Sequence, residues 1–137
     1  MNSHPYLRAY MAGICLPTMF LLVATTGFTF ARFVYDIPIP IERIVVFPMA
    51  VVPNAWGVWN MLYLRLGSRR WRLGLHGALL PVLLIPLGVA LARLLDITII
   101  TAGVVAVFAP MALILYYLAW KYLVGYFNRV LGINYDK

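Results

Sequence analysis

Residues 44–64 read IVVFPMAVVPNAWGVWNMLYL, and this stretch decides the class of fold. It carries no charged side chain from end to end. A helix needs about 20 mainly apolar residues to cross a bilayer. The run is too long for a strand and lacks the two-residue alternation of a membrane barrel. It predicts a membrane-spanning helix, interrupted where Pro48 and Pro53 each lack a backbone N–H.

The same pattern recurs on both sides. Apolar runs over residues 10–33, 75–95 and 99–122 predict three more spans. The connections are short: DIPIPIE over Asp36–Glu42, the basic RLGSRRWRLG over Arg65–Gly74, and little more than Asp96–Thr98. Residues 1–137 thus read as a single transmembrane domain, an all-α integral membrane protein built as a four-helix bundle. The whole composition agrees, with 64% apolar and 11% charged residues over 137 positions. Soluble domains carry about 25% charged residues. A mean hydropathy of +0.91 excludes both a soluble globule and a disordered chain.

The net charge of +7 reads as a topology signal rather than as an affinity for nucleic acid. Eight of the eleven Lys and Arg residues fall on the side shared by both termini and the 65–74 loop. Arg32, Arg43 and Arg93 fall on the other, together with Asp36, Glu42 and Asp96. The expected setting is a bacterial inner membrane with both termini and the basic loop in the cytoplasm. Tyr6, Tyr10, Trp71, Tyr126 and Tyr135 suit a headgroup-level aromatic belt. Cys15 is the one cysteine, so neither an intrachain disulfide nor a thiolate metal site is expected.

The two halves share an order of residues. Gly13, Pro17, Gly27, Ala31, Arg32, Asp36 and Ile37 correspond to Gly77, Pro81, Gly88, Ala92, Arg93, Asp96 and Ile97, with gaps of one to three residues. Pro48-Met49-Ala50 corresponds to Pro110-Met111-Ala112. Two spans per unit preserve orientation. The expected architecture is therefore two tandem, parallel helical hairpins about a pseudo-two-fold axis along the membrane normal.

Two sets of residues are candidates for function. The first is a polar layer near mid-membrane: Asn54 and Asn60, with Tyr116 and Tyr122 at matching positions of the second unit, beside Trp56. Lipid offers amides and hydroxyls no partner, so these groups either bond between helices or line a small cavity. The second set is the pairs Arg32/Asp36 and Arg93/Asp96, whose spacings of four and three place both charges on one helix face. They suit helix ends anchored at the interface, or a lipid-headgroup or gating site.

No catalytic constellation, cofactor motif or metal-ligand spacing stands out, and no acid or histidine falls at mid-span. Catalysis is therefore not expected. The first functional reading is a bundle that acts by association in the bilayer, as an accessory subunit of a membrane complex or a homo-oligomeric scaffold. The alternative is a small transporter or channel along the pseudo-axis. A third reading is a lipid-modifying enzyme using Asp36, Glu42 and Asp96.

Overall fold

The computed structural model describes residues 4–67, 72–96 and 102–133, and among these every regular element is helical. Four helices are long and apolar enough to cross a membrane: α1 (Pro5–Val34), α2 (Ile41–Leu66), α3 (Leu73–Leu94) and α4 (Gly103–Val130). Part of the basic loop, the α3–α4 link and the end of the tail lie outside the described residues. So do Trp71 and Tyr135 of the expected aromatic belt, and Ile97 of the internal repeat.

Each boundary has a local cause. Pro5 stands in the first turn of α1. Its fixed φ suits a helix start, and the first N–H groups have no intrahelical partner anyway. The helix therefore begins five residues before the expected span. Pro38 and Pro40 keep the next segment non-helical, and α2 starts as soon as they are passed. Asp36 and Asp96 follow α1 and α3 in the left-handed conformation, with φ of 52° and 53°. Aspartate tolerates that region better than most residues, and both helices stop there.

The expected end of the fourth span at residue 122 is eight residues short. Helix α4 continues to Val130 and closes on Gly132 at φ 69°. There Gly132 N–H bonds Arg129 O at 3.0 Å and Ile133 N–H bonds Asn128 O at 2.8 Å. This paired closure satisfies the last carbonyls, and Ile133 is buried beneath it.

Two helices contain wider, π-helical turns. In α2 these are Val45–Met49, which includes Pro48, and Tyr63–Gly67; in α4 the turn is Ala119–Val124. In a regular helix, side chains four apart drift around the axis by about 40° per step. The wider turn of α4 absorbs that drift, so Trp120, Val124 and Asn128 share one buried face.

Helix α1 packs along α2, and α3 along α4, giving two hairpins. At Gly13 and Gly57 the backbones of α1 and α2 nearly touch: a Cβ on Gly13 would lie 2.6 Å from Trp56 O and 2.9 Å from Gly57 Cα. The hairpins meet chiefly at the end that holds the termini, where α1 reaches the last turns of α4 and α2 meets α3. The core there is Trp56, Leu80, Leu84, Trp120 and Val124. Most other large apolar side chains of α1 and α4 face outward, Phe20, Val23, Phe33, Val107 and Ile114 among them. That distribution is compatible with a membrane protein.

Candidate functional site

The buried polar groups gather at the termini end. Asn60 of α2 and Asn128 of α4 are both fully buried. The Asn60 amide donates to Asn128 Oδ1 at 2.8 Å and to Ala9 O of α1 at 2.7 Å, while the Asn128 amide donates back to Asn60 Oδ1 at 3.2 Å. One pair of side chains thereby ties three helices together.

His76 of α3 lies one layer away, buried among aromatic rings. Its ring stacks on Trp59 with centroids 4.8 Å apart and lies 5.0 Å from Tyr63. Trp59 Nε1–H donates to His76 O at 2.8 Å, and His76 Nε2 reaches Trp59 O at 3.1 Å. A carbonyl only accepts, so Nε2 carries the proton. Trp120 packs directly on Gly77, and a Cβ there would overlap the indole. Trp56 joins the cluster, 5.4 Å from Trp120 and 4.9 Å from Tyr116.

The expected polar layer does not form as one site. Asn54 is exposed, on a different face from Asn60. Its Oδ1 accepts from Tyr10 O–H of α1, and its amide donates to Ala50 O at 2.6 Å. Thr18 and Pro53 border the same shallow hollow between α1 and α2. Tyr122 points outward beneath Lys121, whose ammonium sits 4.9 Å from its ring centroid. Tyr116 and Trp56 do meet, but in the apolar core. The physical reason is helical phase: matching depth along two helices does not place side chains on matching faces.

The charged residues at the short-loop end also pair differently. Arg32 bonds Glu42 Oε1 at 2.8 Å and Ile39 O at 3.3 Å, across the proline turn. The turn brings Glu42 back over the end of α1, and the left-handed backbone at Asp36 leaves that carboxylate exposed. Arg43 reaches Asp96 O at 3.5 Å, bridging the two hairpins. Among the described residues, Arg32–Glu42 is the one ion pair, and Arg93 is exposed.

Between the hairpins, toward this end, lies an apolar groove of about 290 Å³. Phe47 and Val52 of α2, Leu84 and Gly88 of α3, and Phe108 and Tyr116 of α4 form its walls.

No protein-family model, curated protein or solved structure matches this chain. The chemistry must be read from the side chains alone.

Three of the partners above were not anticipated from sequence. Asn128 and Ala9 complete the Asn60 pair, and Tyr10 holds Asn54. The four-residue steps from Trp120 through Val124 to Asn128 were the available signal for the first. Nothing in sequence indicated that His76, four residues past Arg72 of the basic loop, sits inside the bundle.

Proposed function

We propose that this protein is a membrane-spanning helical bundle that works by association, with a second copy of itself as the partner. The observation that carries the reading is Asn54. Its amide stands on the outer face of α2, in the apolar middle of the span, held by Tyr10 and bordered by Thr18. A lipid-exposed amide is unfavourable, and polar groups in that position hydrogen-bond to neighbouring helices. An amide both donates and accepts, so two copies can pair Asn54 with Asn54 across a two-fold axis. Asn60 and Asn128 already make that reciprocal arrangement within the chain.

Two further observations favour association over conduction. The groove between the hairpins is apolar, and the termini end is closed by interlocked Trp56, Asn60, His76, Trp120 and Asn128. A transport path would need polar groups along that line. The carboxylates proposed for catalysis are spread at the short-loop end, with Glu42 engaged by Arg32.

Two finer points belong to the same reading. The hairpins descend from one duplicated unit, supported by matching left-handed aspartates after α1 and α3 and by Gly13 and Gly77 at matching helix crossings. The termini and the 65–74 loop lie in the cytoplasm of an inner membrane, supported by the excess of Lys and Arg there.

The test is native mass spectrometry of the full chain in mild detergent, alongside Asn54→Leu. A dimer in the wild type that dissociates at several-fold lower detergent in the variant supports the reading. A monomer in both, or a dimer indifferent to Asn54, overturns it.

A further inference from the structure

A hollow of about 670 Å³ lies over the proline turn between α1 and α2. Its lining carries two arginines, Arg32 and Arg43, and two carboxylates, Asp36 and Glu42. Pro38 and Pro40 fix the backbone between Asp36 and Glu42. Arg32 is engaged within the protein: it donates to Glu42 Oε1 and to Ile39 O, so one charge of each sign is neutralised. Asp36 does not share that bond, because its left-handed backbone (φ 52°) turns the chain out of α1. Asp36 and Arg43 are the remainder. Both are exposed, and neither makes an ion pair among the described residues. Arg43 reaches a backbone carbonyl, Asp96 O at 3.5 Å, which takes one of its five N–H donors. One cation and one anion on a shared hollow complement a molecule that itself carries one charge of each sign.

We propose that this hollow binds the headgroup of one zwitterionic phospholipid of the phosphatidylethanolamine class, its phosphate on Arg43 and its ammonium on Asp36. A guanidinium fork matches phosphate oxygens and is weakly hydrated, which suits an interfacial headgroup site. A carboxylate accepts N–H bonds, and a primary ammonium offers three. A trimethylammonium offers none, so the hollow should distinguish ethanolamine from choline. The surroundings favour a lipid over a soluble zwitterion. The hollow lies at the end of a span, and Phe33, Val34 and Ile37 are exposed beside it. In a bilayer such side chains meet the acyl chains just beneath the headgroups. The site rests on the membrane-spanning reading but not on association: it is separate from the Asn54 face and is complete in one chain.

The experiment titrates the full-length detergent-solubilised protein with phosphatidylethanolamine, phosphatidylcholine or phosphatidylglycerol of equal chain length and counts lipids retained per chain by native mass spectrometry. One phosphatidylethanolamine per chain should be retained several-fold over the other two. Asn tolerates the left-handed backbone, so Asp36→Asn should leave the helical circular dichroism unchanged while giving the hollow a net positive charge. One basic charge near a headgroup contributes about fivefold to anionic-lipid binding, so the preference of this variant should pass to phosphatidylglycerol. Asp96→Asn makes the same change of charge at the same end but outside the hollow, and should keep the ethanolamine preference. Arg43→Gln should weaken retention of phosphatidylethanolamine. A wild type without preference for phosphatidylethanolamine overturns the proposal. So does a preference that survives Asp36→Asn, one that Asp96→Asn removes equally, or undiminished binding to folded Arg43→Gln. Free phosphoethanolamine should not displace the lipid at equal concentration; displacement overturns the assignment to a membrane lipid.

Discussion

Asn60 and Asn128, 68 positions apart in sequence, exchange two side-chain hydrogen bonds in a fully buried pair. Neither amide reaches solvent, so each depends on the other. Removing one partner leaves buried polar atoms of the other without their bond, Asn60 keeping only its donation to Ala9 O, at a cost of about 1–3 kcal/mol. Asn60→Leu and Asn128→Leu should each destabilise the bundle, and the double variant should lose less than the two single losses combined. Unfolding in mixed micelles, arranged as a double-mutant cycle, measures the difference. The expected coupling is about 0.6–2 kcal/mol. Additive losses would falsify the reciprocal pairing.

Gly77 seats Trp120, and no side chain fits between them. Gly77→Leu should force α3 and α4 apart and lower stability by about 1–3 kcal/mol or more, as overpacking does. Trp120→Ala creates the opposite defect, a cavity, at about 3–5 kcal/mol. Near-ultraviolet circular dichroism reports the Trp56–Trp59–Trp120 environment and should change in both variants while the far-ultraviolet signal persists.

Asp36 and Asp96 hold a left-handed backbone after α1 and α3. That conformation costs an L-residue about 1–2 kcal/mol, less for aspartate, and costs glycine almost nothing. Asp36→Gly and Asp96→Gly should be neutral or stabilising by up to about 1 kcal/mol. Asp96→Val should destabilise, because branching at Cβ clashes in that region. Thermal unfolding of the three variants separates backbone strain from any requirement for the carboxylate: a carboxylate requirement would make the glycine variants the weaker ones too.

A reporter enzyme fused after Lys137 should be active only in its cytoplasmic form, in keeping with the basic excess on that side. Replacing Arg65, Arg69, Arg70 and Arg72 with Gln should weaken or invert the orientation. An external signal from the unaltered chain would reverse the assignment of sides.

The fold was legible because its signal is redundant. Four apolar runs each approach the length of a span, and loops such as DIPIPIE leave no room for anything else. Residues at helix ends were less legible. The extension of α4 to Val130 follows from burial of Asn128 and from the Gly132 closure, neither of which shows as hydropathy. The candidate sites were legible only as residues. The sequence pairs Asn54 with Tyr116 and Asn60 with Tyr122, yet with Trp56 these residues divide among an outer face, a buried pair, an aromatic core and a cation-capped surface. Arg32 lay four residues from Asp36 but found Glu42, because the proline turn folds back over the helix end.

The sequence by itself determined how many spans there are and where the chain turns between them. Those properties depend on summed apolarity and on the missing N–H of proline, both local. Only the tertiary structure decided which polar groups meet. That choice depends on helix phase, and small local events reset it: the π-helical turns of α2 and α4, the glycine contact at Gly13 and Gly57, and the seat of Trp120 on Gly77. The six-residue spacing of Asn54 and Asn60 already turns them about 120° apart on one helix, and the packing decides that the Asn60 face is the buried one.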